Sequence, residues 1–106
     1  MEEVSGNIFL RKWRGMEKGQ VISGHKHNFD HTTIVFLGAV HVKANLPDGR
    51  IVEREFAAPC HFLIKAGVEH ELTALEEGTE LWCVYAHRTA QGEIVQEYTG
   101  WGKAYL

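Results

Sequence analysis

Short segments in which apolar and polar residues alternate follow one another along the whole chain. They are rich in β-branched and aromatic residues, and turn-forming residues separate them. Such segments cover residues 7–13, 19–27, 32–44, 50–58, 61–66, 70–75, 80–88 and 94–98. Because side chains alternate between the two faces of a strand, the pattern predicts an all-β sandwich or barrel. We expect no helix longer than a turn or two.

Turn signals support this reading. The stretch LPDGR at 46–50 contains the Asp-Gly pair of a hairpin, and EEGTE at 76–80 and AQGE at 90–93 indicate two further reversals. The chain has no repeat of fixed period, no low-complexity stretch and no Ser/Pro-rich linker. We therefore expect residues 1–106 to form a single domain.

Composition narrows the classes of partner. The 106 residues are 44% apolar and 24% charged, with a net charge of -3, which is typical of a soluble globular protein. There is no basic block to follow a phosphate backbone, so we expect no nucleic acid partner. No apolar run approaches the roughly 20 residues that span a bilayer, and the first residues are acidic and polar. We expect no membrane partner and a cytoplasmic location.

The two cysteines, Cys60 and Cys83, are far apart and form no CxxC pair. This spacing indicates neither a disulfide framework nor a zinc knuckle, and we expect both thiols to be reduced, small core residues.

Histidine is the unusual component of this chain, with seven residues at positions 25, 27, 31, 41, 61, 70 and 87. Residues two apart in a strand face the same way, so His25 and His27 are expected to point to one side. A turn would then start a neighbouring strand at His31, whose ring can face the same space. His70 follows a glycine turn and could come from the facing side of a barrel. Converging imidazoles of this kind predict a metal site.

The spacing of the first three histidines resembles the first motif of the cupins, G-x5-H-x-H-x3-4-E-x6-G. Gly19, His25, His27 and Gly38 match that motif, and His31 stands where it has a glutamate. The motif therefore extends over about residues 19–38.

The second cupin motif, G-x5-P-x-G-x2-H-x3-N, is matched less closely over about residues 59–74. Gly67 and His70 match it, whereas Pro59, Lys65 and Ala74 replace its first glycine, its proline and its asparagine. The resemblance implies a small cupin, a jelly-roll β-barrel, over roughly residues 15–87.

The resemblance also implies one divalent metal ion, bound by His25, His27, His31 and His70. Four neutral imidazoles leave the full charge of the ion in place, which favours an anionic substrate such as an enolate or a carboxylate. Imidazole suits transition metals better than magnesium or calcium, and the choice among iron, manganese, nickel, zinc and copper stays open.

Cupins that use histidines in place of the glutamate resemble iron dioxygenases of diketones and thiols. The resemblance thus implies a dioxygenase-type oxidoreductase that acts on a small anionic or enolisable substrate. A sugar or keto-acid isomerase and a non-catalytic module for a small ligand are the alternatives, since one fold hosts many functions.

Tyr85 is the candidate for contact with the substrate outside the metal site. It shares a face of the segment ELWCVYAHR with Cys83, and it would offer a phenol if that face lines the barrel; packing in the core is the alternative. His41, His61 and His87 belong to no motif and are expected at the surface or in hydrogen-bonded positions. Because small cupins are commonly dimers, we expect a homodimer, with the tail EYTGWGKAYL packed on the barrel or on the second subunit.

Overall fold

The computed structural model describes residues 1–94, with His25 described by its backbone only. This part of the chain contains no helix, and so no helix long and apolar enough to cross a membrane. It forms nine strands: β1 Glu2–Ser5, β2 Ile8–Met16, β3 Val21–His25, β4 His31–Leu37, β5 Ala39–Asn45, β6 Ile51–Ala57, β7 Cys60–Ile64, β8 Glu69–Ala74 and β9 Thr79–Ala86. The predicted all-β class is confirmed.

The strands form two antiparallel sheets. The first has five strands in the order β1-β2-β9-β4-β7, and the second has four in the order β3-β8-β5-β6. Alternate residues of the strands face the space between the sheets, as His31, Thr33 and Val35 do in β4. The buried apolar core consists of Met16, Ile22, Val35, Val40, Val42, Leu72, Ala74 and Leu81. The sheets thus form a jelly-roll sandwich.

The hairpin predicted at 46–50 joins β5 to β6. Leu46 donates its backbone N–H to the carbonyl of Arg50 over 2.8 Å, and the Asp48 carboxylate accepts the N–H of Arg50 over 3.0 Å. The reversal predicted at 90–93 is also present, since Arg88 and Ile94 form an antiparallel bridge across it. The segment 76–80 leads from β8 to β9, which lie in different sheets.

The segment 32–44 differs from the single predicted run. Gly38 divides it into β4 and β5, which belong to different sheets. Gly38 has φ of 78°, and a Cβ built there would overlap Thr79. The alternation of apolar residues continues across this point because both strands face the same core, so the hydrophobic pattern alone does not reveal the change of sheet.

The two ends of the chain also differ from the predicted segments or lie outside the described residues. Strand β1 was not predicted because its residues, EEVS, are mostly polar; it is an edge strand paired with β2. The predicted strand 94–98 lies outside the described residues from Val95 onward, as does the tail EYTGWGKAYL.

Candidate metal centre

Three of the four predicted metal ligands meet between the two sheets. One ring nitrogen from each of His27, His31 and His70 lies within 4.8 Å of the others. The ring of His31 lies 4.9 Å from that of His27 and 5.0 Å from that of His70, measured between centroids. His31 and His70 are only 3% and 2% exposed, whereas His27 is half-buried. The cluster therefore has two buried rings, those of His31 and His70, and one more accessible ring, that of His27.

Three different elements position these rings. His31 is the first residue of β4 and comes from the five-stranded sheet, whereas His70 lies on β8 in the four-stranded sheet. His27 belongs to the connection between β3 and β4, which crosses from one sheet to the other.

Two details of the predicted arrangement are therefore wrong, although the rings converge as predicted. Strand β4 does not lie beside β3 but pairs with β7 and β9 in the other sheet. His70 does not face the first motif across the barrel, because β8 pairs with β3 and places His70 opposite His25. Of the three described rings, that of His31 comes from the facing sheet. Strand parity also ends at His25, so it does not orient His27.

The loop that carries His27 is tied to the loop that precedes His70. The carbonyl of His27 accepts the N–H of Gly67 over 2.8 Å, and the Asp30 carboxylate accepts the N–H of Ala66 over 2.8 Å. These bonds connect the first motif directly to the second. They position the two loops relative to each other, and with them the two histidines.

A hydrogen bond orients the ring of His70. Its Nδ1 lies 3.1 Å from the carbonyl oxygen of Val68. A carbonyl oxygen only accepts, so this contact assigns the proton to Nδ1 and gives Nε2 the lone pair that a metal ion requires. Metal-binding histidines are commonly oriented in this way.

The fourth predicted ligand, His25, is described by its backbone only. It ends β3 and is paired with His70 in the sheet, and its side chain lies outside the described part of the structure. Its role as a fourth ligand therefore stays a prediction.

Tyr85 lies beside the cluster, on the inward face of β9. Its ring centroid is 6.0 Å from that of His27 and 6.3 Å from that of His31, and it stacks at 4.8 Å on Phe9. The sequence left open which face of this strand lines the barrel, and the structure shows that it is the face of Cys83 and Tyr85. Burial, with a smaller effect of the Glu2 carboxylate, raises the pKa of the Tyr85 phenol. The phenol is thus neutral near pH 7 and can donate a hydrogen bond.

Phe29 and Arg88 also belong to this region and were not identified as functional residues from the sequence. Phe29 stacks on His27 with centroids 4.9 Å apart and contacts Tyr85 at 4.7 Å. The guanidinium of Arg88 lies 4.6 Å from the centre of the Phe29 ring. Neither residue belongs to a sequence motif. Phe29 reaches this place only through the folding of loop 26–30.

Arg11 is a further residue of this region that strand parity could have found. It lies on β2 opposite Cys83, on the face shared with Phe9 and Trp13. A small cavity beside His27 is lined by Arg11 and Tyr85, and Arg11 is 3.5 Å from the carboxylate of Glu2. Arg11 is thus a cation near the cluster in addition to Arg88, and the Glu2 carboxylate of β1 partly neutralises its charge.

The other histidines lie apart from the cluster. His41 is 3.3 Å from the carboxylate of Glu53, and His87 stacks on Phe9 at 6.3 Å. His61 is exposed and lines a different cavity.

Both cysteines are free, as predicted, and they are half-buried against the core rather than fully inside it. Burial raises the pKa of the Cys83 thiol, which lies 3.7 Å from the hydroxyl of Thr33. A buried neutral thiol of this kind acts as a small packing residue.

Solved structures of Bacillus subtilis oxalate decarboxylase have a similar fold. The structure at pH 4.6 matches with a TM-score of 0.70 and 22% identity, over 87% of this chain and 23% of that one. A structure from a study of the Mn(II) centres of that enzyme matches with a TM-score of 0.71 and 22% identity, over 87% of this chain and 24% of that one. A point mutant of the same enzyme matches with a TM-score of 0.70 and 23% identity, over 78% and 22% of the two chains.

The chain thus spans about a quarter of the length of these structures, and the likeness concerns the fold. No protein-family model matches the sequence, and no curated protein matches it.

Proposed function

Because this chain has the fold of a cupin, we propose that it binds one divalent transition metal and acts as a dioxygenase-type oxidoreductase on a small anionic or enolisable substrate. The observation that carries the proposal is the convergence of His27, His31 and His70 within 4.8 Å. We assign the fourth ligand position to His25, which is adjacent to His70 in the sheet.

The donor set fits a transition metal. All three described members of the cluster offer imidazole nitrogen, which suits iron, nickel, zinc and copper better than magnesium or calcium. The hydrogen bond from His70 to Val68 sets the tautomer that such a ligand needs. When bound, the ion would supply Lewis acidity and, if it is redox-active, a place where substrate and dioxygen react.

The charge of the site favours an anionic substrate. His31 stands where the cupin motif has a glutamate, and its neutral ring leaves the positive charge of the ion uncompensated. The cluster brings no carboxylate of its own within the described residues. An enolate or a carboxylate would supply the missing negative charge.

Aromatic side chains would separate this site from water. Phe29 and Tyr85 lie beside the histidine rings, and Phe9 stacks on Tyr85. His31 and His70 are almost fully buried. Exclusion of water strengthens electrostatic interactions and limits side reactions. Tyr85, whose phenol is neutral near pH 7, would donate a hydrogen bond to an anionic substrate.

The raised pKa of Tyr85 also bears on the isomerase alternative. An isomerase needs a group that removes a proton at neutral pH, and a phenol with a raised pKa is a weak candidate for a general base. The non-catalytic module makes a different prediction, since its metal would anchor a ligand without consuming oxygen.

The first test is the metal content of the purified protein and of variants. We expect one metal ion per chain, and a loss of metal in His31→Ala and His70→Ala that is absent from the control His41→Ala, which changes a histidine outside the cluster. Equal metal content in all four proteins would contradict the proposed site.

The second test is oxygen consumption after anaerobic loading with Fe²⁺, Mn²⁺, Ni²⁺, Cu²⁺ or Zn²⁺. We expect uptake with at least one substrate from a panel of diketones, thiols and aromatic diols. Metal binding without oxygen uptake, together with ligands that raise the melting temperature, would replace the dioxygenase assignment by the binding module.

A further inference from the structure

A second cavity lies at the side of the sandwich, where β6 and β7 are the edge strands of different sheets. It has a volume of about 490 Å³, within the range of roughly 300–1,000 Å³ typical of small-molecule sites. Its walls are largely apolar and include Val42, Ala44, Phe56, Phe62 and Ile64. Phe56 and Phe62 stack at 4.2 Å and join the two sheets along one wall.

Cationic side chains line the same cavity. Arg54 projects from β6, and Lys65 follows β7. Within residues 1–94 neither of them forms an ion pair, whereas Arg11, Arg14 and Arg50 each lie within 3.5 Å of a carboxylate. None of the described lining residues is acidic. The cavity therefore combines an apolar interior with positive charge that no carboxylate of the described chain neutralises.

We propose that this cavity is a binding site for a small amphipathic carboxylate. The apolar part of the ligand lies against Phe56 and Phe62, and its carboxylate is held by Arg54 and Lys65. The guanidinium of Arg54 already lies 5.2 Å from the centre of the Phe56 ring, which places a cation directly beside an apolar wall. Arg and Lys together suit a carboxylate, because Arg binds both of its oxygens and Lys adds a second charge.

Charge argues against a second copy of this chain as the occupant. The flanking residues Ile51 and Leu63 are 60% and 56% exposed and could pack in an interface. However, a two-fold contact places the same surface on both sides, so the partner would bring its own Arg54 and Lys65 to the same region. Buried cations without counter-charges are unfavourable, whereas a carboxylate ligand neutralises them.

The proposal does not depend on metal binding, although the two sites adjoin. His70 belongs to the histidine cluster and also lines this cavity. The two proposals are tested separately, by measuring carboxylate binding in the presence of a chelator.

The experiment is calorimetric titration of the full-length protein with octanoate, in EDTA, with octanol and octylamine as uncharged and cationic probes of equal length. We expect octanoate to bind more tightly than either. Arg54→Gln and Lys65→Gln should each weaken octanoate binding about fivefold, the effect of a partly exposed ion pair, and leave octanol binding unchanged. The control Arg50→Gln removes an exposed arginine that does not line the cavity, and it should have no effect.

A cavity-filling variant tests the apolar part of the site. Ala44→Phe should weaken the binding of both octanoate and octanol, because the added ring occupies the space of the chain. If this variant does not fold, the surface variants Arg54→Gln and Lys65→Gln still decide the matter.

Several results would overturn the proposal. The carboxylate site would be contradicted if octanoate did not bind or if octanol bound equally well. It would also be contradicted if Arg50→Gln weakened octanoate binding as much as Arg54→Gln and Lys65→Gln do. Sedimentation analysis provides the last outcome: a dimer that Leu63→Glu dissociates, with no octanoate binding, would assign the cavity to self-association.

Discussion

At the scale of single residues, His31 decides the chemistry of the proposed metal centre. It is the one position of the first motif that departs from the cupin pattern, and the structure places its ring within 5.0 Å of those of His27 and His70, measured between centroids. Its identity sets the charge of the site, because an imidazole is neutral where a glutamate would add a negative charge. Replacing His31 by glutamate is therefore the most direct test of the proposed metal site.

We expect His31→Glu to change the metal preference of the protein toward manganese, since a carboxylate is a harder ligand than imidazole. Metal content would be measured after competition among Mn²⁺, Fe²⁺ and Zn²⁺. The same replacement at His41, which is paired with Glu53 outside the cluster, is the matched control. Unchanged selectivity in His31→Glu would show that His31 is not a ligand.

Gly38 is the residue on which the division between β4 and β5 depends. We expect Gly38→Ala to lower the free energy of unfolding by about 3 kcal/mol. The backbone at Gly38 is left-handed, which disfavours alanine, and the added Cβ would overlap Thr79. Gly19→Ala is the control, because Gly19 has φ of 86° but open space around its Cβ position, and should cost about 1 kcal/mol. Equal losses in urea unfolding would mean that the close approach to Thr79 is unimportant.

At the scale of elements, the centre depends on two loops that hold each other. The connection 26–30 carries His27 and leads into His31, and its Asp30 accepts a hydrogen bond from Ala66, shortly before His70. The register of β3 with β8 places His25 opposite His70. The two sequence motifs therefore act as one structural unit, although about twenty residues separate them.

We expect Asp30→Ala to weaken metal binding about tenfold, because it breaks the link between these loops, as changes around a metal site commonly do. Asp48→Ala, which removes a comparable carboxylate contact in the hairpin 46–50, should leave metal binding unchanged. Metal titration of the two variants separates the effects. Equal affinities would show that the loops are positioned without Asp30.

At the scale of the whole molecule, burial raises the pKa of two acidic side chains on the inward face of β9. The pKa of Cys83 is raised from its ordinary value of 9.0, and that of Tyr85 from 10.0, in both cases chiefly by burial. Both groups then hold their protons more tightly in the folded chain than in the unfolded one. The stability they contribute is complete below these ordinary values and is lost as pH rises through the raised values.

We therefore expect the free energy of unfolding to fall with rising pH from about pH 9, where an unfolded cysteine ionises. Cys83→Ala should reduce the slope that begins there, and Tyr85→Phe should reduce the slope above about pH 10. Urea unfolding at a series of alkaline pH values measures both. Slopes that neither substitution changes would contradict the buried, neutral state of these groups.

The sequence by itself determined most of the strands, two hairpin-like reversals and three histidines that converge in the structure. Alternation of side chains along a strand is local, so it could predict that Cys83 and Tyr85 share a face of β9. That this face is the inward one was decided by the structure. The spacing of the histidines likewise identified His27, His31 and His70 through their resemblance to the cupin motifs. The sequence pattern could not assign each strand to its sheet, because strand pairing joins residues that are far apart in sequence.

Only the tertiary structure decided how these residues meet. It placed His31 on the sheet opposite His70, and it put His27 in the crossing loop rather than on a strand. It also formed the cavity between β6 and β7, whose lining comes from strands of both sheets. Such features arise where two sheets pack face to face, and packing between sheets leaves no periodic signal in the sequence.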